Sequence, residues 1–384
     1  MQRFEIIDLE PLNPSTNGSI AERFYDSTSP RHDRLVSAET DSELARAFLY
    51  SNELSENSIR TTKKDLSRFL LWCRFQSKTL SQLRIEDLIA YKGFLKDPQP
   101  EETWICTTKW PRGDGRWRPF SGPLSEPSVR QAFQVVKALL EFGTNAGYLQ
   151  RNAGALVKNI KTARNARVTR YLNEPAIDHV YVALDQRRAA TPTAVKAQAR
   201  DRFLFESYIT TGARLAELTA ASMGAIYVEG DKRWWFDVMG KGAKPRRLPV
   251  APQMLAALRN YRSAFGLLPH ATRDDATPLV LSTRSAALSS VTDEAASNAM
   301  KALFSKAADL AEAENDFDSA ASLRRASAHW LRHTMLTIHA NNDVSLKTLQ
   351  DTAGHANIST TATYLHKDDR ERHDELTESL VRDS

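Results

Sequence analysis

Apolar residues recur every three or four positions over most of this chain, which predicts a mainly α-helical protein. The pattern begins at Asp41, resumes after Glu126 and returns after Pro192. Side chains at this spacing share one face of a helix, so each stripe predicts a helix with one buried side. Residues 1–40 are rich in Pro, Ser, Asn and Asp and lack the periodicity, and we expect them to form a poorly ordered arm.

Three short segments in the second half have a strand pattern instead. Residues 225–228, 233–238 and 246–250 carry β-branched and aromatic side chains, and turn sequences separate them at 229–231 and 240–244. Turns this short join neighbouring antiparallel strands. The sequence therefore predicts a mainly α fold with a small antiparallel β-sheet, which makes the second half an α+β domain.

Two interruptions of the helical pattern predict the domain organisation. Residues 98–123 have the Pro-, Gly- and Trp-rich composition of a loop inserted into a helical domain that spans 41–160. Basic and aromatic residues alternate in this loop and can stack on nucleic-acid bases, but packing of the tryptophans on the domain is the favoured interpretation. A basic segment at 161–172 then predicts a linker to a second domain, 173–384.

Basic residues in and beside this linker recur at every third position. Such a spacing can follow a phosphate backbone, although a plain flexible linker explains it almost as well. The candidate phosphate-contacting residues are Lys158, Lys161, Arg164, Arg167 and Arg170.

Composition limits the class of protein further. The 384 residues carry a formal net charge of +5 and a pI near 9.1, a mild basic excess that fits an anionic partner without identifying one. No apolar run is long enough to cross a bilayer and the N-terminus does not read as a secretory signal, so we expect a soluble, cytoplasmic protein. Cys73 and Cys106 lack the neighbours of a zinc site or a disulfide framework.

The phrase TGARLAEL at residues 211–218 places an arginine beside a predicted helix start. Gly212 should turn the chain after the preceding helix. Arg214 is then expected in the first turn of the next helix, where a guanidinium can clamp a phosphate through two parallel hydrogen bonds. Glu217 follows three residues later and can hold Arg214 in position, or form no more than an ordinary intrahelical ion pair.

His329, Arg332 and His333 project to one side of a predicted helix. The spacing is similar to that of metal ligands, but the glutamate of a zinc-protease motif is missing between the histidines and the arginine would repel a cation. We therefore expect no metal at this cluster.

Two further segments supply candidate residues. The turn at 240–244 carries two lysines, and a flexible ammonium there can donate a proton to a leaving oxygen, although lysines at turn tips are usually only solvated. Gly354 should end a helix and leave His355 on a turn. Tyr364 comes nine residues after His355 in a Thr-rich helical segment, where a tyrosine by itself is more often a packing residue.

In this order and spacing the phrases resemble those of the tyrosine recombinase family, the lambda-type phage integrases. The resemblance implies an N-terminal helical, SAM-like core-binding domain followed by a tyrosine recombinase catalytic domain. It also implies that Tyr364 attacks a DNA phosphate to give a 3′-phosphotyrosine and a free 5′-hydroxyl. Arg214 and Arg332 would bind the non-bridging oxygens. The chain departs from the family pattern at packing positions, namely Ala213, Ala221, Ala225 and Ala353.

The same resemblance implies the remaining roles and the partners. His329 and His355 would assist proton transfer and hold the phosphate. Lys241 would protonate the departing 5′-oxygen, and Glu217 would support the site from outside it. No metal or other cofactor is implied. The implied partner is double-stranded DNA, enclosed by the two domains of each subunit in a homotetramer that acts on two DNA sites.

The resulting prediction is a site-specific DNA recombinase or integrase that serves a mobile element or plasmid. Two alternatives stay open. One is a DNA-binding protein of the same fold without strand exchange. The other is a topoisomerase-like enzyme that cleaves and reseals DNA without exchanging strands.

Overall fold

The chain divides into two compact units, residues 1–164 and 165–384. Both are built mainly from helices, and a three-stranded antiparallel sheet lies in the second unit. The predicted fold class, mainly α with a small antiparallel sheet, is confirmed. This computed structural model describes residues 7, 9–10, 34–51, 53–160, 170–187, 189–240, 244–284, 287–355, 357–362 and 377.

The first unit is a helical bundle. Its longest helices, α2 and α5, pack against each other and share a core of leucine, phenylalanine and valine side chains. The helices of this unit are α1 (Asp41–Tyr50), α2 (Glu56–Phe75), α3 (Ile85–Lys96), α4 (Glu101–Trp104) and α5 (Glu126–Asn145).

The start of α1 follows from its capping residues. The Thr40 hydroxyl accepts a hydrogen bond from the Glu43 N–H, and the Glu43 carboxylate accepts one from the Thr40 N–H. The expectation of a poorly ordered arm at residues 1–40 stays a prediction, because most of these residues lie outside the described part of the chain, but two described residues do not fit it. Ile7 and Leu9 are buried in the core of this unit, and the Tyr50 hydroxyl donates to the Leu9 carbonyl at 3.2 Å. So short an apolar segment has no periodicity to detect, yet it gains free energy by leaving water.

The inserted loop is fixed to the bundle by an aromatic anchor. Trp104 is fully buried and packs edge-on against Phe94 and Phe120. The buried Arg118 donates hydrogen bonds to the carbonyls of Glu102, Gly115 and Trp117. The structural interpretation of the loop is therefore confirmed for Trp104.

The second unit surrounds its sheet with helices and has a core of its own. Its helices are α6 (Glu174–Asp185), α7 (Pro192–Thr211), α8 (Leu215–Ala220), α9 (Pro252–Ala264), α10 (Asp293–Ala313), α11 (Phe317–Arg325), α12 (Ala328–Asn341), α13 (Leu346–Ala353) and α14 (Ile358–Ala362). Its strands are β1 (Ile226–Val228), β2 (Trp234–Met239) and β3 (Pro245–Pro249).

The sheet has the order β1-β2-β3 with antiparallel pairing throughout. Ile226 pairs with Phe236, which pairs with Leu248, and all three side chains are buried. Apolar residues in register thus attach the sheet to the helical core, because they remove a continuous strip of surface from water. The three predicted strands are confirmed to within one residue at each end.

Gly212 turns the chain between α7 and α8. Its backbone is left-handed, with a φ of +60°, as is common where a helix ends. A Cβ added there would lie 2.1 Å from Cε of Met335 on α12. Glycine is therefore required by both backbone conformation and space, and it brings Arg214 close to α12.

Several predicted positions lie outside the described residues, namely Lys161, Arg164, Arg167, Lys241 and Tyr364. Within the part of the chain that the structure describes, no helix combines the length and the apolar character needed to span a membrane.

Candidate active site

Arg214 is the residue immediately before α8. The sequence predicts Arg214 in the first turn of this helix, and that prediction is wrong: its backbone is extended, with φ −77° and ψ 152°, so Arg214 is the N-cap. Its backbone N–H donates to the Glu217 carboxylate at 2.7 Å and is therefore already satisfied. The backbone N–H is occupied and α8 is short, so the start of this helix offers little to an anion. The guanidinium is 35% exposed and is the group of Arg214 that can bind one.

Glu217 lies between two arginines. Its side chain is 4% exposed. Oε1 accepts hydrogen bonds from Arg214 Nη1 at 2.9 Å and from Arg246 Nη1 at 2.7 Å, while Arg246 Nη2 reaches Oε2 at 2.7 Å. Burial alone would raise the pKa of Glu217, but the hydrogen bonds from Arg246 and from the Arg214 backbone outweigh burial and hold the pKa below its usual value. The buried carboxylate is therefore ionised at neutral pH.

Arg246 is not among the residues that the sequence predicts for the site. The sequence places it at the start of a strand, and β3 does contain it. It follows the predicted catalytic lysine by five residues in the phrase GKGAKPRR, which begins at Gly240. Its position close to the predicted lysine is the sequence signal that could have drawn attention to Arg246. Its hydrogen-bonding partners, Glu217 and Thr352, lie far away along the chain.

Arg332 connects two distant turns through the protein interior. It lies on α12 and is 3% exposed. Nη1 donates to the Gly212 carbonyl at 2.6 Å, and Nη2 donates to the Ala353 carbonyl. Nη2 also approaches His355 Nε2 at 3.4 Å. The guanidinium thus holds the end of α7, the end of α13 and a histidine in one place.

His355 lies on the turn after α13, as predicted. Gly354 ends that helix with a φ of +61°. Nδ1 of His355 lies 3.0 Å from the Thr361 hydroxyl on α14, and the Gln350 side-chain amide donates to the His355 carbonyl at 3.1 Å. The ring is therefore oriented from both sides, by Arg332 at Nε2 and by α14 at Nδ1.

His329 and His333 occupy successive turns of α12. Their rings meet edge to face with centroids 4.4 Å apart. Desolvation by surrounding atoms, followed by the charges of Arg332 and Arg214, lowers the pKa of His329. The charge of Arg170 contributes to the lowered pKa of both histidines, so this predicted basic residue lies near the site. Lys158 belongs to the first unit, where its carbonyl accepts a hydrogen bond from a lysine.

The histidines of the site are neutral at physiological pH. Burial, followed by the charges of Arg332, Arg214 and Arg246, lowers the pKa of His355 to about 4. Burial, followed by its neighbour His329, lowers the pKa of His333 to about 4. A neutral imidazole beside arginines can accept the proton that a nucleophile releases.

Lowering the pH from 7 to 5 is expected to reduce the free energy of unfolding. The pKa values of His333 and His355 are about 4 in the folded protein against 6.5 ordinarily, so the unfolded chain binds protons first in this window. Their stabilising contribution is complete above pH 6.5 and is lost as the pH falls toward 4. We expect a loss of about 2 kcal/mol by pH 5 after allowance for solvent screening and coupling.

Thermal unfolding of the ligand-free protein between pH 5 and 8 measures this effect. The curve of stability against pH should be shallower for His355→Gln than for the wild type, because one of the two lowered pKa values is removed. Parallel curves for the two proteins would contradict the assignment to His355.

The structure brings most of the described candidates together. Arg214 and Glu217 are hydrogen-bonded, and Arg332 contacts His355. The two pairs lie close to each other, because the charges of both arginines lower the pKa of His355. Helix α14 contacts the same histidine through Thr361. Among the described residues, no group of three or more His, Cys, Asp and Glu side chains is arranged to hold a metal ion. The site is a cationic cluster suited to a phosphate-like anion.

Comparisons with known proteins identify the family. Residues 182–371 match the phage integrase family. The tyrosine recombinase XerC of Chromohalobacter salexigens is 31% identical over 247 residues, which cover 64% of this chain and 71% of the relative. The tyrosine recombinase XerD of Corynebacterium glutamicum is 24% identical over 314 residues, which cover 82% of this chain and 88% of the relative.

Solved structures share the fold. A XerH site-specific recombinase bound to palindromic difH substrate in a post-cleavage complex aligns with a TM-score of 0.61 and 17% identity, covering 88% of this chain and 85% of that one. A lambda integrase dimer bound to a COC′ core site aligns with a TM-score of 0.54 and 14% identity, covering 86% and 77%. These structures show that the fold is shared, and the family match together with the 31% identity to the XerC relative establishes that the chain belongs to the tyrosine recombinase, or phage integrase, family.

Proposed function

We propose that this recombinase cuts and rejoins double-stranded DNA at specific sites through a covalent 3′-phosphotyrosine formed by Tyr364. The observation that carries the proposal is the cluster of Arg214, Arg332 and His355, in which His355 also contacts α14 through Thr361. Relatives that are named tyrosine recombinases, and structures of DNA-bound recombinases with the same fold, support DNA as the partner.

Arg214 and Arg332 would bind the two non-bridging oxygens of the scissile phosphate. Charge spreads over these oxygens in the transition state of phosphoryl transfer, so cations fixed beforehand lower the barrier. Arg332 suits this role because its bonds to the Gly212 and Ala353 carbonyls fix its position before substrate arrives. Arg214 is fixed more lightly, through Glu217.

In the cleavage step the Tyr364 oxygen would bond to phosphorus as the bond from phosphorus to the 5′-oxygen breaks. The tyrosine proton needs an acceptor, and His355 can serve because its pKa, lowered to about 4 before a phosphate binds, leaves the ring unprotonated, while the charge of a bound phosphate would raise that pKa and make the ring a better base. The departing 5′-oxygen needs a proton, which Lys241 would donate. His329, at the edge of the cluster, would help to hold the phosphate.

The phosphotyrosine keeps the energy of the broken phosphodiester, so a 5′-hydroxyl from another strand can reverse the step without a nucleotide. Exchange between two DNA sites would require four subunits, two on each site. We assign the biological task to a mobile element or plasmid. The basic residues from Lys158 to Arg170 would contact the phosphate backbone.

Covalent capture tests the proposal. The protein is incubated with sheared genomic DNA and denatured, and the DNA fragments still attached are sequenced while the attached peptide is identified by mass spectrometry. We expect attachment at a few sequences and on the peptide that contains Tyr364. Attachment spread evenly over the genome would favour a topoisomerase-like enzyme. Absence of attachment, with DNA binding intact, would favour a binding protein of the same fold. A sample denatured before DNA is added is the control.

A further inference from the structure

We propose that Arg246 is a positioning residue for DNA cleavage, which fixes Glu217 and the turn before His355 so that Arg214 can bind the scissile phosphate. The inference rests on the function proposed above. It concerns a residue of the sheet rather than one of the residues that meet the phosphate.

The first support is the way in which Arg246 binds Glu217. Its two terminal nitrogens reach the two carboxylate oxygens at 2.7 Å each, which is the two-point geometry that arginine forms with a carboxylate. Arg214 makes a single side-chain bond to Glu217, at 2.9 Å, and its backbone N–H takes a second position on the carboxylate. Each arginine thus makes two hydrogen bonds to the carboxylate, but of the two side chains only that of Arg246 bonds both oxygens.

This division has a consequence for Arg214. If the Arg246 guanidinium were absent, the buried carboxylate would lose the side chain that fixes both of its oxygens, and its charge would be poorly stabilised in the protein interior. Arg214 would then lose the fixed acceptor that holds its guanidinium in position for a phosphate. Arg246 prevents this by occupying both oxygens, so it acts on Arg214 through Glu217.

The second support is the contact of Arg246 with the segment before His355. Nε donates to the Thr352 carbonyl at 3.1 Å, at the end of α13. A Cβ added to Gly354 would lie 3.2 Å from both Cδ and Nη1 of Arg246. A Cβ added to Gly240 would lie 3.0 Å from Nη1. The guanidinium therefore fits between two glycines, one at the base of the β2–β3 hairpin and one beside His355.

The third support is burial and charge. The Arg246 side chain is 11% exposed and the Glu217 side chain 4%. An ion pair this far from water keeps its geometry better than a surface pair, because solvent competes little for the hydrogen bonds. Glu217 neutralises one arginine charge, so the three groups together retain one positive charge for an anion.

The rate of covalent-complex formation on a nicked DNA substrate tests the inference, since the nick traps the cleaved state. We expect Arg246→Gln to slow the reaction about 100-fold and Arg246→Lys about 10-fold, because lysine keeps the charge without the two-point geometry. DNA affinity should stay within about threefold for both. Glu217→Gln should cause a similar loss. The double variant Arg246→Gln/Glu217→Gln should be no slower than the worse single variant, because the two residues act as a unit.

A pH profile separates positioning from a merely structural role. Glu217 faces Arg246 from β3 and Arg214 from the head of α8, and Asp237 and Arg247 line the adjoining cavity. Without Arg246, burial dominates and the pKa of Glu217 rises, so the carboxylate becomes protonated in mild acid. The Arg246→Gln rate, relative to wild type, should therefore fall further between pH 7 and 5.5.

This further fall of the rate between pH 7 and 5.5 should be absent in the double variant Arg246→Gln/Glu217→Gln, because that protein has no carboxylate at position 217 to titrate. The comparison also corrects for His355, His333 and His329, which titrate in all the proteins. Arg247→Gln is the matched control, because Arg247 is the next residue of β3 and its side chain is 44% exposed. It should cleave within about twofold of the wild type.

The outcomes distinguish this inference from the proposed function. If the wild type forms no covalent complex, the proposed function fails. If the wild type does so and Arg246→Gln matches its rate, the positioning role is wrong. The positioning role is also wrong if the rate losses of the two single variants multiply in the double variant and the relative rate of Arg246→Gln does not fall further between pH 7 and 5.5. Thermal unfolding of each variant verifies that rates are compared between folded proteins, and Arg246→Lys serves if the glutamine variant does not fold.

Discussion

Replacing Tyr364 with phenylalanine is expected to abolish covalent attachment to DNA while leaving DNA binding unchanged. Phenylalanine keeps the ring and removes the single oxygen that would bond to phosphorus, so the cleavage rate should fall by at least about 10⁴-fold. Affinity should change by less than about threefold, because phosphate contacts elsewhere dominate binding. The measurement is the fraction of labelled nicked DNA that migrates with protein after denaturation.

Tyr171→Phe is the control for the loss of a tyrosine hydroxyl. Tyr171 lies in the same unit and is 37% exposed. That variant should attach DNA at the wild-type rate. If Tyr364→Phe attaches to DNA at more than a few per cent of the wild-type rate, another residue must be the nucleophile and the assignment of Tyr364 is wrong.

Replacing Arg332 is expected to have the second-largest effect, on both rate and stability. Arg332→Lys keeps a positive charge but cannot bond the Gly212 and Ala353 carbonyls in the same plane while also facing a phosphate. Loss of one fixed donor at a phosphoryl-transfer site costs about 3 kcal/mol, so cleavage should slow by 10²- to 10³-fold. Single-turnover cleavage at saturating protein measures this loss separately from binding.

The effect of Arg332 on stability follows from the two carbonyls that it bonds. Both belong to buried residues, and each buried acceptor without a donor costs about 1–3 kcal/mol. Arg332→Gln should therefore lower Tm by several degrees, at about 2–4 °C per kcal/mol for a domain of this size. Arg324→Gln is the control, because Arg324 is 40% exposed and pairs with Asp309 and Glu312. If Arg332→Gln and Arg324→Gln have the same Tm and the same rate of DNA cleavage, the role of Arg332 is contradicted.

Much of the candidate site could be predicted from local phrases, because the local chain determines where helices and turns begin and end. Gly212 and Gly354 end helices where the sequence predicts, both with a left-handed backbone, and His355 follows on a turn. Glu217 lies near Arg214 because it is the third residue of the helix that Arg214 caps, where a carboxylate can accept from the N-cap backbone. These relations span a few residues, so they can be recognised without the fold.

Other features of the site depend on contacts between distant parts of the chain. Arg246 meets Glu217 across 29 residues and Thr352 across 106. Arg332 reaches the Gly212 carbonyl across 120 residues. No spacing rule predicts such pairs, because they arise when packed elements bring buried polar groups together and each group needs a partner. The lowered pKa of His355 has the same origin, since its causes are burial and three arginines from different segments.

The sequence by itself determined the fold class, the strands of the sheet, the turns at Gly212 and Gly354, and the phrases that indicate the family. Periodicity, capping and turn chemistry are local properties, and the chain carries them before it folds. The tertiary structure decided that Arg214 caps its helix, that Glu217 lies between two arginines, and that Arg246 and Arg332 each contact the α13 end. These arrangements result from burial, which leaves few partners for each charged group and requires those partners to be close in space rather than in sequence.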